Sequence, residues 1–236
     1  MTNLAEALLG PLLSADRMGP RITYYDDAGG ERIELSTVTL ANWAAKTANL
    51  LRDELGAGPG SRVAVLLPAH WQTVAVVLGA WWIGAEVVFT GAADVALCTA
   101  DRLAEADEVV GGGEVAVLSL DPFGKPATDL PIGVTDFATA VRLHGDQVDA
   151  EASPGAALDG RSPAEVLTAA LEYATAAGLV AGDRVMSARP WSTPDELVTN
   201  LLAVLAARAS LVQLANPDSA VLARRRETEK VTRLLD

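Results

Sequence analysis

Gly58-Pro-Gly-Ser-Arg62-Val-Ala-Val-Leu-Leu-Pro68-Ala-His-Trp71 and Val180-Ala-Gly182-Asp-Arg184-Val-Met-Ser-Ala-Arg-Pro190-Trp191 are two versions of one pattern. Their arginines (62 and 184) and their prolines (68 and 190) share a single offset of 122 residues. Each run follows a helical pattern, and each is followed by a second helix and a second strand, Ala85-Glu-Val-Val88 in one case and Ala209-Ser-Leu-Val212 in the other. Strand, helix and strand in that order and at that length form the right-handed crossover that a parallel pair requires. The fold class is therefore α/β, in two similar lobes whose sheets are mainly parallel and flanked by helices.

Working outward, Leu4, Ala5, Leu8, Leu9, Leu12 and Leu13 recur at helical spacing and predict an N-terminal helix. Ile22–Asp26 and Arg32–Ser36 read as strands joined through Ala28-Gly-Gly30, a hairpin. Leu40, Trp43, Ala44, Thr47, Leu50 and Leu51 line one face of a helix that stops at Gly56. Then come strand Arg62–Leu67, helix His70–Ile83 and strand Glu86–Phe89, with Val115–Leu118 the clearest strand beyond them. Between Asp121 and Ser162 the periodicity fades into Pro, Gly, Asp and Ala, except for a short helix around Phe137. Ser162-Pro-Ala-Glu165 is a capping box that opens a helix to about Ala177, and Thr193-Pro-Asp-Glu196 reads as a second that opens one to about Ala207. Strands Arg184–Ser187 and Leu211–Leu214 and a charged helix from Ser219 to Leu235 complete the chain. The divisions are a first α/β lobe over residues 1–120, an irregular connecting region over 121–161, and a second α/β lobe over 162–236.

Composition narrows the function. The 236 residues are half hydrophobic and 21% charged, enough apolar surface for a core and unlike a disordered chain. Eighteen basic side chains against 31 acidic ones give a net charge of −13, which repels nucleic-acid phosphates and anionic lipid. One cysteine, Cys98, excludes an internal disulfide; with two histidines it is too little soft ligand for a zinc site. Val63–Ala85 contains no charged residue, but Pro68, His70 and Gln72 break it into a strand, a turn and a helix, so no membrane span is expected. Met1–Leu13 has no basic start and no small-residue cleavage site, unlike a signal peptide. A cytoplasmic location is expected.

Trp43-Ala, Thr47-Ala-Asn-Leu-Leu-Arg52, Leu55-Gly56, Pro59-Gly60, Arg62-Val-Ala-Val-Leu-Leu-Pro68 and Leu78-Gly-Ala80 together resemble the start of the adenylate-forming, AMP-binding superfamily, which includes the acyl-CoA synthetases. Gly182-Asp-Arg-Val-Met-Ser187 is similar to that family's strand after its phosphate loop, and Leu201–Leu214 to the helix and strand that follow. The resemblance covers most of this chain but only the N-terminal part of a synthetase. It implies a Ser/Thr/Gly-rich loop ending in Gly-x-Pro-Lys just before Ser162, whose N–H groups and hydroxyls hold ATP phosphates. What stands there is Asp149-Ala-Glu-Ala-Ser-Pro-Gly-Ala-Ala-Leu-Asp-Gly-Arg161, with acids, one serine and no lysine. Where such synthetases carry Pro-x-x-His, this chain has Pro190-Trp-Ser-Thr193. The later nucleotide-binding segments and the catalytic lysine that the resemblance implies would fall beyond Asp236.

The remaining motifs are structural. Gly56-x-Gly-x-Gly60 runs from helix into strand, the reverse of a dinucleotide fingerprint. Gly111-Gly-Gly113 and Phe123-Gly-Lys-Pro126 read as turns, and no Gly-x-Ser-x-Gly elbow is present. His144 is expected in solvent, and Cys98 as a small buried hydrophobe. Trp81 and Trp82 are adjacent on one helix and cannot both face inward, so one is expected at an interface. The expected chain is thus a non-catalytic acyl-CoA synthetase-like protein without a phosphate loop, catalytic residues, cofactor or metal, acting by binding or interaction. Trp191, Thr193 and His70 are the candidate pocket residues for an acyl ligand, and a homodimer or another protein partner is expected. The alternatives are a subunit of a split or divergent ligase, and an acyl or small-molecule binding module.

Overall fold

The computed structural model describes residues 3–235. In chain order the elements are α1 (Leu4–Ala15), β1 (Pro20–Asp26), β2 (Glu31–Ser36), α2 (Thr37–Asp53), β3 (Arg62–Leu66), α3 (Trp71–Trp82), β4 (Glu86–Val88), β5 (Val95–Cys98), α4 (Leu103–Val110), β6 (Glu114–Val117), β7 (Val134–Asp136) and α5 (Phe137–Ala140). After the connecting region come α6 (Pro163–Ala176), β8 (Arg184–Ser187), α7 (Pro194–Leu197), a π-helical turn at Val198–Leu202, α8 (Ala203–Ala206), β9 (Ser210–Ala215), α9 (Ser219–Thr228) and β10 (Arg233–Leu235).

Two five-stranded sheets result, and both expected crossovers are present. One sheet, ordered β4-β3-β5-β6-β7, is parallel throughout. The other is ordered β10-β8-β9-β1-β2 and is parallel except for the β1–β2 hairpin. The lobe division at 120 and 162 does not follow the sheets. The hairpin lies in the N-terminal stretch, yet β1 pairs with β9, with Ile22 opposite Leu211 and Tyr24 opposite Gln213.

Alternation along the strands explains the layering. Val63, Val65, Val87, Val95 and Leu97 of one sheet, and Ile22, Tyr24, Val185 and Leu211 of the other, face a shared core filled by α1, α2, α3, α6 and α8. Ala64, Leu66, Ala96, Cys98 and Val117 point the other way, onto Ala106 of α4. Met186, Val212 and Leu214 likewise meet Leu222 of α9. Because both faces of these strands are covered, the sequence runs are nearly continuous in apolar residues instead of alternating.

Three local expectations change. The last helix ends at Thr228 rather than Leu235. Lys230 turns into the left-handed region at φ +52°, and Arg233–Leu235 then adds a parallel edge strand beside β8. The helix after Thr193 contains the π turn and so is not a regular α-helix. Thr193 does accept from the Glu196 amide, but the Glu196 carboxylate caps the Ser192 amide at 2.8 Å, so the reciprocal box is incomplete. The box at Ser162 is complete. β7 is an element the sequence did not announce.

Candidate functional site

In open α/β sheets, ligands meet the chain where strands end at their carboxyl edge and helices begin. Two such places follow β3 and β8. After β3, Pro68 and Ala69 lead to His70, which caps α3 by accepting the Gln72 amide on Nδ1 at 3.2 Å. That bond assigns the neutral ring's proton to Nε2. The Nε2 atom lies 3.8 Å from Glu31 Oε1, too far for a hydrogen bond, and both atoms are buried without a partner among the described residues. Tyr24 meets the imidazole edge-on at 4.4 Å between ring centroids, and Trp71 lies at 5.5 Å. Burial lowers the His70 pKa, against the opposing pull of Glu31. His70 is therefore a neutral, buried donor.

After β8, Asn200 Nδ2 holds the Pro190 carbonyl at 2.8 Å and Gln213 Nε2 holds that of Arg189 at 3.1 Å. Trp191 is 1% exposed, and its Nε1 has no partner among the described residues; the same is true of Trp71 Nε1 and Gln213 Oε1. Gln213 stands opposite Tyr24 in the sheet register, so a continuous path of neighbours runs from the Trp191 loop through Gln213 and Tyr24 to His70 and Glu31. Thr193 is not part of it. Its side chain is exposed, and its hydroxyl is engaged at the start of α7. Of the three candidate residues, His70 and Trp191 sit on this buried path and Thr193 sits outside it. Glu31, Trp71 and Gln213 were not singled out in the sequence. Their burial depends on β1, β2 and β9 being neighbours, and no local signal carries that.

The position before α6 is also folded tightly. Asp159 (φ +48°) and Gly160 (φ +77°) make a turn strapped to β4. The amides of Ala157 and Leu158 donate to the Arg161 carbonyl, that of Asp159 to Val87, and that of Arg161 to Leu158. The Gly160 amide donates to Glu86 Oε1 at 2.6 Å, and the Ser162 amide to Glu165 Oε2 at 2.8 Å. Trp81 Nε1 donates to the Ala157 carbonyl at 2.6 Å from the side of α3. Trp81 is thus the inward member of the tryptophan pair. Trp82 is half-buried and lines a groove of about 560 Å³ with Leu13, Asn49 and Val148.

His144 is not free in solvent, because its ring lies 3.1 Å from Glu54 Oε2. Cys98 is fully buried, and burial pushes its thiol up to about 11. Among the described residues no group of acids, histidines and cysteine is placed to hold a metal ion, and no helix is long and apolar enough to cross a membrane.

Two mainly parallel sheets around shared helices, with a strapped turn before α6, define the N-terminal part of the adenylate-forming fold. Residues 14–108 match the family model described as "AMP-binding enzyme". The chain superposes on an acyl-CoA synthetase from Brucella canis with a TM-score of 0.81 at 21% identity, covering 99% of this chain and 47% of that one. Acetoacetyl-CoA synthetase from Streptomyces lividans gives 0.78 at 20% identity, covering 98% and 42%. The chain thus spans about half the length of these solved synthetases. A "TIGR03089 family protein" of Mycobacterium tuberculosis is 67% identical over 239 residues, covering 99% of this chain and 98% of the relative. The chain belongs to that family.

Proposed function

We propose that this chain is a non-catalytic acyl-CoA synthetase-like protein, which binds a small molecule or a partner and does not activate a carboxylate with ATP. The observation that carries this reading is the hydrogen bonding of residues 157–162. A phosphate cradle works by presenting free backbone N–H groups and hydroxyls to the anion. Here all six amides from Ala157 to Ser162 are already donated within the chain, two of them to the carboxylates of Glu86 and Glu165. A triphosphate at this place would have to displace those bonds and would meet acids instead of a lysine.

The retained binding capacity lies along the path from Trp191 to Glu31. Buried indole N–H groups, a neutral imidazole and two acceptors stand there among apolar side chains, unpaired groups that an acyl ligand with a polar end would satisfy once the side chains part to admit it. The test is ATP–pyrophosphate exchange with a panel of carboxylic acids and acyl substrates. No exchange is expected from the chain alone. Exchange by the isolated chain overturns the proposal. Exchange that appears only with a copurifying, lysine-bearing protein also overturns it, in favour of a split ligase.

A further inference from the structure

The other end of the β1-containing sheet carries a feature that the acyl-CoA synthetase reading does not use. At the amino ends of β1, β8 and β9, opposite the edge described above, a groove of about 440 Å³ is lined by Arg21, Arg184, Arg208 and Lys230, with Asp16 and Asp183. The lining holds four cations against two acids, with Arg184 also paired to Glu229 and Glu34 behind it, on a chain whose net charge is −13. We propose that it is a binding site for a small phosphate-class dianion, separate from the nucleotide position of the fold.

The backbone at two of these cations supports the assignment. Arg208 (φ +58°) and Lys230 (φ +52°) each occupy the left-handed position just after a helix, where glycine is the unstrained choice. The duplicated pattern supplies an internal comparison. Gly84 ends the matching helix of the first block, its amide reaching Trp81 and the next amide reaching Ala80; Arg208 repeats this with Leu205 and Val204. The first block therefore uses glycine where the second holds an exposed arginine in a costly conformation, and Lys230 does the same at the end of α9. Both strained cations line the same groove.

Arg21 supplies the buried side. It is 5% exposed, with Nε on Thr37 Oγ1 at 3.2 Å and Nη1 on the Ala209 carbonyl at 2.7 Å, and no acceptor among the described residues takes its Nη2. Arg184 is anchored by Glu229 and Thr23 through Nη2, while its buried Nη1 has no partner among the described residues. Two fixed guanidinium groups with unused N–H donors and two exposed cations match the charge and the donor demand of a phosphate group.

The positive φ values make the test clean. Arg208→Gly and Lys230→Gly remove the charges while relieving backbone strain, so the double variant is expected to melt no lower than the wild type. Inorganic phosphate and pyrophosphate are titrated at low ionic strength, by calorimetry and thermal shift, with matched sodium chloride as the screening control. Saturable binding is expected in the wild type, weakened about tenfold or more in the double variant. Absence of binding to the wild type beyond the chloride control overturns the proposal, as does equal binding by both proteins. A nucleotide-induced shift that disappears in the double variant belongs to this groove and leaves the exchange assay to decide catalysis.

Discussion

The Gly160 amide donates to the Glu86 carboxylate at 2.6 Å, so an acid of β4 occupies the turn before α6, where the resemblance to the adenylate-forming family implies a phosphate loop. Glu86 also lies 3.6 Å from Arg62 and is mostly buried, which holds its carboxylate in place. Glu86→Ala removes a charge-assisted bond from a constrained turn and is expected to cost about 1–2 kcal/mol. Hydrogen exchange at Gly160 is expected to rise with it. An unchanged exchange rate would show that the strap to β4 does not hold this turn. The variant is not expected to gain pyrophosphate exchange, because five of the six amides keep their partners.

His70 predicts a pH dependence. Burial depresses its folded pKa below the ordinary value of 6.5, so below that value the unfolded chain binds more protons than the folded one. Stability is therefore expected to fall as the pH drops from about 6.5 to the folded pKa, and to owe nothing further to this group below it. His70→Asn keeps an N-cap acceptor and removes the titration. Denaturant melts between neutral pH and about pH 5 are expected to give a smaller loss in the variant than in the wild type. Parallel losses would assign the titration elsewhere.

Much of the fold was legible because its signals are local. The repeat around Arg62 and Arg184 places two crossovers, and Ser162 with Glu165 fixes the start of α6 to the residue. What was hidden depends on distant pairing. Val134–Asp136 is three half-buried residues, too short for a period to show. Arg233–Leu235 follows a charged helical pattern, and the break before it is a lysine in a glycine conformation, which leaves no mark in the sequence. For the site, the acids and missing lysine before Ser162 were plain in the composition. That the amides there are all occupied was not, since their acceptors lie on β4 and in the turn itself. His70 was visible at a helix start, while Glu31 reaches it only because the hairpin joins the other sheet.

Gly79 lets α3 approach α2 closely. A Cβ there would lie 2.9 Å from the Ala44 carbonyl oxygen and 3.0 Å from the Ala48 amide nitrogen, both backbone atoms that cannot swing aside. Gly79→Ala is expected to push the helices apart and cost about 1–3 kcal/mol, in spite of alanine's better helix propensity. Denaturant melts decide it: a variant as stable as the wild type would mean that the two helices do not pack this closely.

Glu229 ties β10's entry to the rest of its sheet. Its carboxylate is 4% exposed and accepts from Tyr25 at 2.5 Å, from Arg32 at 2.9 Å and from Arg184. Burial pushes its pKa up, but the bonds from Tyr25, Arg184 and Arg32 outweigh that and hold it below the ordinary 4.5. A depressed carboxylate contributes stability that is fully present above its unfolded pKa and lost as the pH falls through the folded one, so the pH dependence that this group adds lies below about 4.5. That window lies under the one assigned to His70, and the two are separable by pH. Glu229→Gln keeps the shape and removes the charge, leaving the mostly buried Arg184 with only Glu34, at 3.5 Å, as an ionic partner; about 3 kcal/mol is expected for weakening such a buried pair. The variant is also expected to lose the acid transition below about 4.5 that this carboxylate adds to the wild type. If Glu229→Gln melts like the wild type at neutral pH, the carboxylate does not hold Arg184, and β10 is kept in the sheet by its pairing with β8 and by the bonds of Thr232 and Arg233 to Asp183.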